Sequence, residues 1–122
     1  MNKAKYPLVQ VAALVNQNKV DFISRSRSIE QVILVFPKMD ATNAEKYILD
    51  GLLTLNDSDF SSSAFMWDMV VDIYGKQIDG FDWYIKFSIE QDESGLDRLS
   101  EISFHPIEDD LKLANGKTLF KG

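Results

Sequence analysis

Apolar residues recur at helical spacing through the first half of the chain and alternate with polar ones through the second. Leu8, Val11, Ala12 and Val15 share one helical face. Pro7 suits the start of that helix, because the N–H it lacks would go unbonded there, and Asn16–Asn18 ends it. Val20–Ser24 reads as a short extended piece or loop. Ser26 or Ser28 can cap a second helix through Ile29, Val32, Ile33 and Phe36, which Pro37 stops. Asp40 or Thr42 opens a third helix, since Thr42 and Glu45 have capping-box spacing. Tyr47, Ile48, Leu52 and Leu55 give it an apolar face, and Asn56–Asp59 is a turn cluster.

From Met66 the period falls to two. Met69, Val71 and Ile73 alternate with Val70, Asp72, Tyr74 and Lys76, and Asp79-Gly80 supplies a hairpin turn. Trp83, Ile85, Phe87 and Ile89 alternate with Tyr84, Lys86, Ser88 and Glu90. After the polar loop Gln91–Asp97, Ile102 and Phe104 alternate with Glu101, Ser103 and His105, and Pro106 ends the strand. Helices followed by a meander predict an α+β fold. N-terminal helices pack on one face of a three- to four-stranded antiparallel sheet, and the other face is polar. Residues 107–122 are polar and read as a loose tail or a marginal last element, leaving 1–106 as the single domain.

Parity predicts what shares the polar face, because a one-residue slip exchanges the two faces of a strand. The last hairpin places Tyr84 opposite His105, Lys86 opposite Ser103 and Ile85 opposite Phe104. A turn centred on Asp79 places Tyr74 opposite Tyr84 and Asp72 opposite Lys86. Asp72, Tyr74, Lys76, Tyr84, Lys86, Ser88, Ser103 and His105 are then expected on one surface. Imidazole exchanges protons near neutrality, lysine stabilises developing negative charge, and tyrosine hydrogen-bonds or stacks. Cleavage of RNA by its own 2′-hydroxyl needs those functions and no metal. A solvated sheet face with Asp72–Lys86 and Tyr–Tyr pairs is the bland alternative.

Charge bears on the partner. The chain has 122 residues, no cysteine and one histidine, which excludes disulfides, thiolate chemistry and multi-histidine zinc sites. No cofactor is implied. No apolar run approaches the roughly 18–20 residues that span a membrane, and Met1–Gln10 has no signal-like apolar stretch, so a cytoplasmic protein is expected. The net charge is -6. Residues 1–38 carry six basic and two acidic side chains, a net +4; the rest carry seven and seventeen, a net -10. An anionic partner is expected to meet the N-terminal part.

Certain short motifs resemble the MqsR family, RelE-like mRNA endoribonuclease toxins of type II toxin–antitoxin modules. They are Tyr6-Pro7-Leu8, Leu14-Val15 and Val20, then Leu55-x-x-x-Asp59-Phe60-x-x-Ser63, Asp72-Ile73-Tyr74, Tyr84-Ile85-Lys86 and Ile102-Ser103-Phe104. The resemblance covers residues 6–106 in element order. It implies a RelE-like domain, an mRNA substrate, a cognate antitoxin as partner, and Tyr84 as the catalytic tyrosine. The family's Tyr-Lys-Ser after Asp-Phe is Ser61-Ser62-Ser63 here, so its lysine is absent. Val70-Val71 stands for its Trp-Gln, and His105 for its strand-ending lysine.

Two functions follow. In the first, a metal-independent endoribonuclease uses His105 as general acid or base, Tyr84 to orient the phosphate or a base, and Lys86 or Lys76 to stabilise charge. Arg25, Arg27 and Tyr74 hold the RNA. In the second, the protein is a non-catalytic binder, either a degenerate toxin fold or a phage-type inhibitor like the anti-CRISPR proteins, whose acidic surface blocks a basic nuclease effector.

Overall fold

The structure, a computed structural model, describes residues 3–122, so the first two residues of the expected 1–106 domain lie outside it. It is α+β. Three helices, α1 (Leu8–Asn16), α2 (Arg25–Val35) and α3 (Ala41–Leu53), precede most of the sheet. The strands are β1 (Val20–Phe22), β2 (Phe60–Met66), β3 (Met69–Ile78), β4 (Phe81–Gln91) and β5 (Asp97–Pro106), in the spatial order β1-β5-β4-β3-β2. The sheet is therefore five-stranded and mixed, because β1 pairs in parallel with β5. The expected all-antiparallel sheet of three or four strands is corrected on both counts.

The helix ends show which local signals operate. The Pro7 carbonyl accepts from Gln10 N and Val11 N. At the other end Asn18 adopts φ 57°, and Lys19 N reaches the Leu14 carbonyl, closing a Schellman turn. α2 starts after Ser24, ahead of both expected caps. Ser28 is buried and donates to Glu101 instead. The Asp40 carboxylate, not Thr42, caps α3 by accepting from Asn43 N at 2.8 Å.

The core lies between the helices and one sheet face. Val11, Leu14, Val32, Ile48 and Leu52 meet Trp83, Ile85, Phe87, Leu99 and Phe104. Tyr47, Trp83 and Phe104 form an aromatic cluster, with Trp83 and Phe104 centroids 5.0 Å apart. A Cβ on Gly51 would come within 2.9 Å of the Phe104 ring, so glycine lets α3 sit close on the sheet.

One register departs from expectation by one residue. The Asp79-Gly80 turn uses both residues at positive φ, 54° and 81°, as a two-residue hairpin loop requires. Ile78 then faces Phe81, Tyr74 faces Ile85, Gly75 faces Tyr84 and Ile73 faces Lys86. Asp72, Tyr74 and Lys76 consequently sit on the helix side. Tyr74 is in the core, stacked on Phe87. Lys76 pairs with Asp59 at 3.0 Å. Asp72, fully buried, accepts from Lys5 N, Tyr6 N and the Ser63 hydroxyl. These bonds offset the desolvation of its carboxylate and tie the N-terminal segment to the sheet.

One more feature was not expected, and the marginal last element expected from the sequence takes a definite form. A bulge at Ile102 lets Phe87 face Glu101, turning that carboxylate to the helix side. Residues 107–122 make a short hairpin, β6 (Leu111–Lys112) with β7 (Thr118–Leu119). Leu111, Leu113 and Leu119 pack over Gly75, where a Cβ would meet their methyls at 2.5–3.2 Å.

Candidate functional site

Tyr84 and Lys86 on β4, and Ser103 and His105 on β5, alternate with core residues and so project from the outer sheet face. Tyr84 pairs with His105 and Lys86 with Ser103, as the sequence parity requires. Together with Arg27, Leu111 and the acidic run Glu108-Asp109-Asp110 they line a cavity of about 380 Å³. β1 pairs only Leu99 to Glu101, so among the described residues no strand pairs with the rest of β5 on that side. Arg27, in the first turn of α2, completes the cavity wall.

The rings of Tyr84 and His105 stack with centroids 4.9 Å apart and planes 12° apart. The Lys86 ammonium lies 5.8 Å from the centre of the Tyr84 ring. His105 Nδ1 is 2.7 Å from the Pro106 carbonyl oxygen. A carbonyl only accepts, so this is a hydrogen bond with the proton on Nδ1. In the neutral ring Nε2 is then the basic nitrogen, and it faces the cavity rim at 3.6 Å from Glu108 Oε1. The same carboxylate oxygen lies 3.9 Å from Arg27. Glu108 thus bridges two groups that could hold an anion.

Burial, followed by the Arg27 charge, lowers the Lys86 pKa below that of an ordinary lysine. Burial, followed by the Glu108 charge, raises that of the Tyr84 phenol and keeps it protonated. The site therefore joins a stacked imidazole whose Nε2 meets only the long Glu108 contact, a phenol donor and two cations. That set can take a proton, orient a phosphate and stabilise added negative charge.

Of the residues the sequence singled out, His105, Tyr84, Lys86 and Arg27 converge here. Lys76 and Tyr74 are on the opposite face, as described above. Arg25 points to α3, where its guanidinium holds Glu45 at 2.9 Å. Sequence reasoning missed Glu108 as a partner of the histidine, though its place three residues after His105 is visible in the chain. Among the described residues no group of three or more His, Cys, Asp or Glu side chains is arranged to hold a metal ion. None of the described helices is long and apolar enough to cross a membrane. No protein-family model, curated protein or solved structure matches the chain.

Proposed function

We propose that the protein is a metal-independent endoribonuclease of the toxin type, acting on single-stranded mRNA at the Tyr84–His105 cavity. The observation that carries this is the stacked His105, its Nδ1 committed to a carbonyl and its Nε2 turned to Glu108 in a cavity that Lys86 and Arg27 also line. His105 Nε2 removes the proton from a ribose 2′-hydroxyl. The 2′ oxygen forms a bond to the adjacent phosphorus, the bond from phosphorus to the 5′ oxygen breaks, and that oxygen takes a proton from a water whose hydroxide is then neutralised by the proton on His105. The products are a 2′,3′-cyclic phosphate and a 5′-hydroxyl end. Lys86 and Arg27 stabilise the extra charge on the phosphorane, and the Tyr84 phenol donates to a phosphate oxygen. The helix-on-sheet arrangement is compatible with a RelE-like domain, and a cognate antitoxin in the cytoplasm is the partner this reading implies.

Induction of the wild type should arrest growth, and purified protein in EDTA should cut mRNA to the ends named above. His105→Ala should relieve the arrest and slow the cleavage by about 10²–10⁴-fold. A harmless wild type that leaves RNA intact overturns the reading. One observation favours a second reading, a non-catalytic acidic binder that blocks a basic nuclease: Glu108, Asp109 and Asp110 are all exposed at the mouth of the cavity. Recovery of a large basic nuclease from lysate by the wild type, with RNA left intact, is the result that selects it.

A further inference from the structure

The turn between β2 and β3 holds Trp67 at φ 51° and Asp68 at φ 59°. This left-handed region suits glycine and asparagine and is unfavourable for a bulky aromatic. The indole gains no burial in exchange. Trp67 is 64% exposed, whereas the other tryptophan, Trp83, is fully buried. Strain of this kind, kept at an exposed aromatic, points to use rather than to packing.

Its surroundings say which use. Trp67 and Met66 line a recess of about 210 Å³ whose walls include Arg27, Gln31, Lys86 and Ser103. Arg27, Lys86, Ser103 and His105 line the histidine cavity as well, so the two spaces are neighbours with shared walls. An aromatic plate, two cations, an amide and a hydroxyl therefore stand together within one nucleotide's reach of the candidate scissile position. Stacking on an aromatic face, cations on the backbone and an amide at the base edge make up the usual recognition of an unpaired nucleotide.

We propose that Trp67 is the stacking platform for one unpaired base of single-stranded RNA, next to the phosphate held at His105. Lys86 and Arg27 hold the flanking backbone, and Gln31 and Ser103 read the base edge. The inference rests on the RNA reading of the neighbouring cavity and adds to it the element that selects the base.

The test uses short homopolymeric 2′-O-methyl oligonucleotides of adenosine, cytidine or uridine, which bind but cannot be cleaved. Tryptophan fluorescence and anisotropy of labelled strands are followed. Because Trp83 is buried, Trp67 should report binding as a saturable quench that differs between bases. Trp67→Phe should keep most of the affinity. Trp67→Asn, which suits the left-handed turn, should bind about tenfold or more weakly while melting no lower than the wild type. A folded Trp67→Asn protein that binds every oligonucleotide as tightly as the wild type overturns the platform. Cleavage of all-ribose RNA separates the two ideas. If Trp67→Asn cuts with unchanged kcat/KM, the platform falls and the nuclease stands. If the quench is seen and all-ribose RNA stays intact, the nuclease falls and the platform stands. Absence of binding by any strand, with all-ribose RNA left intact, overturns both.

Discussion

Tyr84 and His105 lie directly opposite each other on neighbouring antiparallel strands, and their rings stack 4.9 Å apart. The stack and the Nδ1 contact to Pro106 leave the imidazole little freedom to turn. The two functions of the tyrosine, plate and donor, can therefore be separated. His105→Ala should lower kcat by about 10²–10⁴-fold, the usual worth of a general base. Tyr84→Phe keeps the stack and loses only the donor, so it should be milder than Tyr84→Ala, which loses both. Single-turnover cleavage of one defined RNA measures all three. Equal losses for the two tyrosine variants would show that the stack does not position the histidine.

Lys86 gives a pH signature distinct from that of His105. Burial and Arg27 hold its pKa below the lysine norm. The ammonium is the form that attracts phosphate, so affinity is complete below that lowered pKa and declines as pH rises through it. RNA affinity should therefore weaken at an alkaline pH where ordinary lysines are still charged. Lys86→Arg, which does not deprotonate, should flatten the curve. Anisotropy of an uncleavable RNA against pH is the measurement, and identical curves for the two proteins would remove Lys86 from the phosphate site.

If the cavity takes RNA, Glu108 competes with the phosphate for Arg27. Its oxygen reaches His105 Nε2 and Arg27 at 3.6 and 3.9 Å. Both contacts are long, and the Glu108 and Arg27 side chains are mostly exposed, so a phosphate can displace the carboxylate at little cost. Glu108→Gln should tighten RNA binding by roughly twofold to fivefold at low salt, about 0.5–1 kcal/mol. The gain should shrink as salt screens the charge. A variant that binds no tighter at low salt would make the carboxylate a bystander.

Gly75 governs how the C-terminal hairpin seats. A methyl there would meet side chains of Leu111, Leu113 and Leu119 at once. Gly75→Ala should cost about 1–3 kcal/mol by overpacking, and should speed proteolysis within residues 107–122 more than elsewhere. Uniform protection in both proteins would show that the hairpin accommodates the methyl.

The pairing of β4 with β5 could be read from the chain because their two faces differ sharply: Tyr84, Lys86, Ser103 and His105 against Ile85 and Phe104. β3 lacks that contrast. Val70 and Val71 are adjacent, and Ile73 faces outward where the leucines of residues 107–122 pack nearby, so polarity alone could not fix its register. Asp72 looked like a surface residue because the backbone donors that satisfy it come from Lys5 and Tyr6, 67 and 66 residues away. β2 was hidden because Ser61-Ser62-Ser63 breaks any apolar alternation, and the buried Ser63 hydroxyl donates to Asp72 on the next strand. The histidine site was thus half legible. Its sheet residues followed from alternation, whereas Arg27 reaches it through tertiary packing and Glu108 sits just beyond the end of the alternating strand.

The Ile102 bulge creates a last testable property by turning Glu101 into the core. Its carboxylate is fully buried, with the Ser28 hydroxyl as donor at 3.0 and 3.2 Å. Desolvation outweighs that hydrogen bond and raises its pKa from 4.5 to about 7. Between those values the folded protein holds a proton that the unfolded chain has released. Folding is therefore favoured at the acid end, and stability falls as pH rises from about 4.5 to about 7, by roughly 3 kcal/mol in all at about 1.4 kcal/mol per pH unit. Asp21, held down by its Arg98 hydrogen bonds, and Asp92, held down by Ser94 and Leu96, titrate below 3.8, outside this window. Glu101→Gln keeps an acceptor for Ser28 and cannot ionise. Urea midpoints across the window should slope downward with pH for the wild type and stay flatter for the variant. Parallel slopes would mean that Glu101 is already ionised in the folded protein near pH 5, stabilised by something other than the serine.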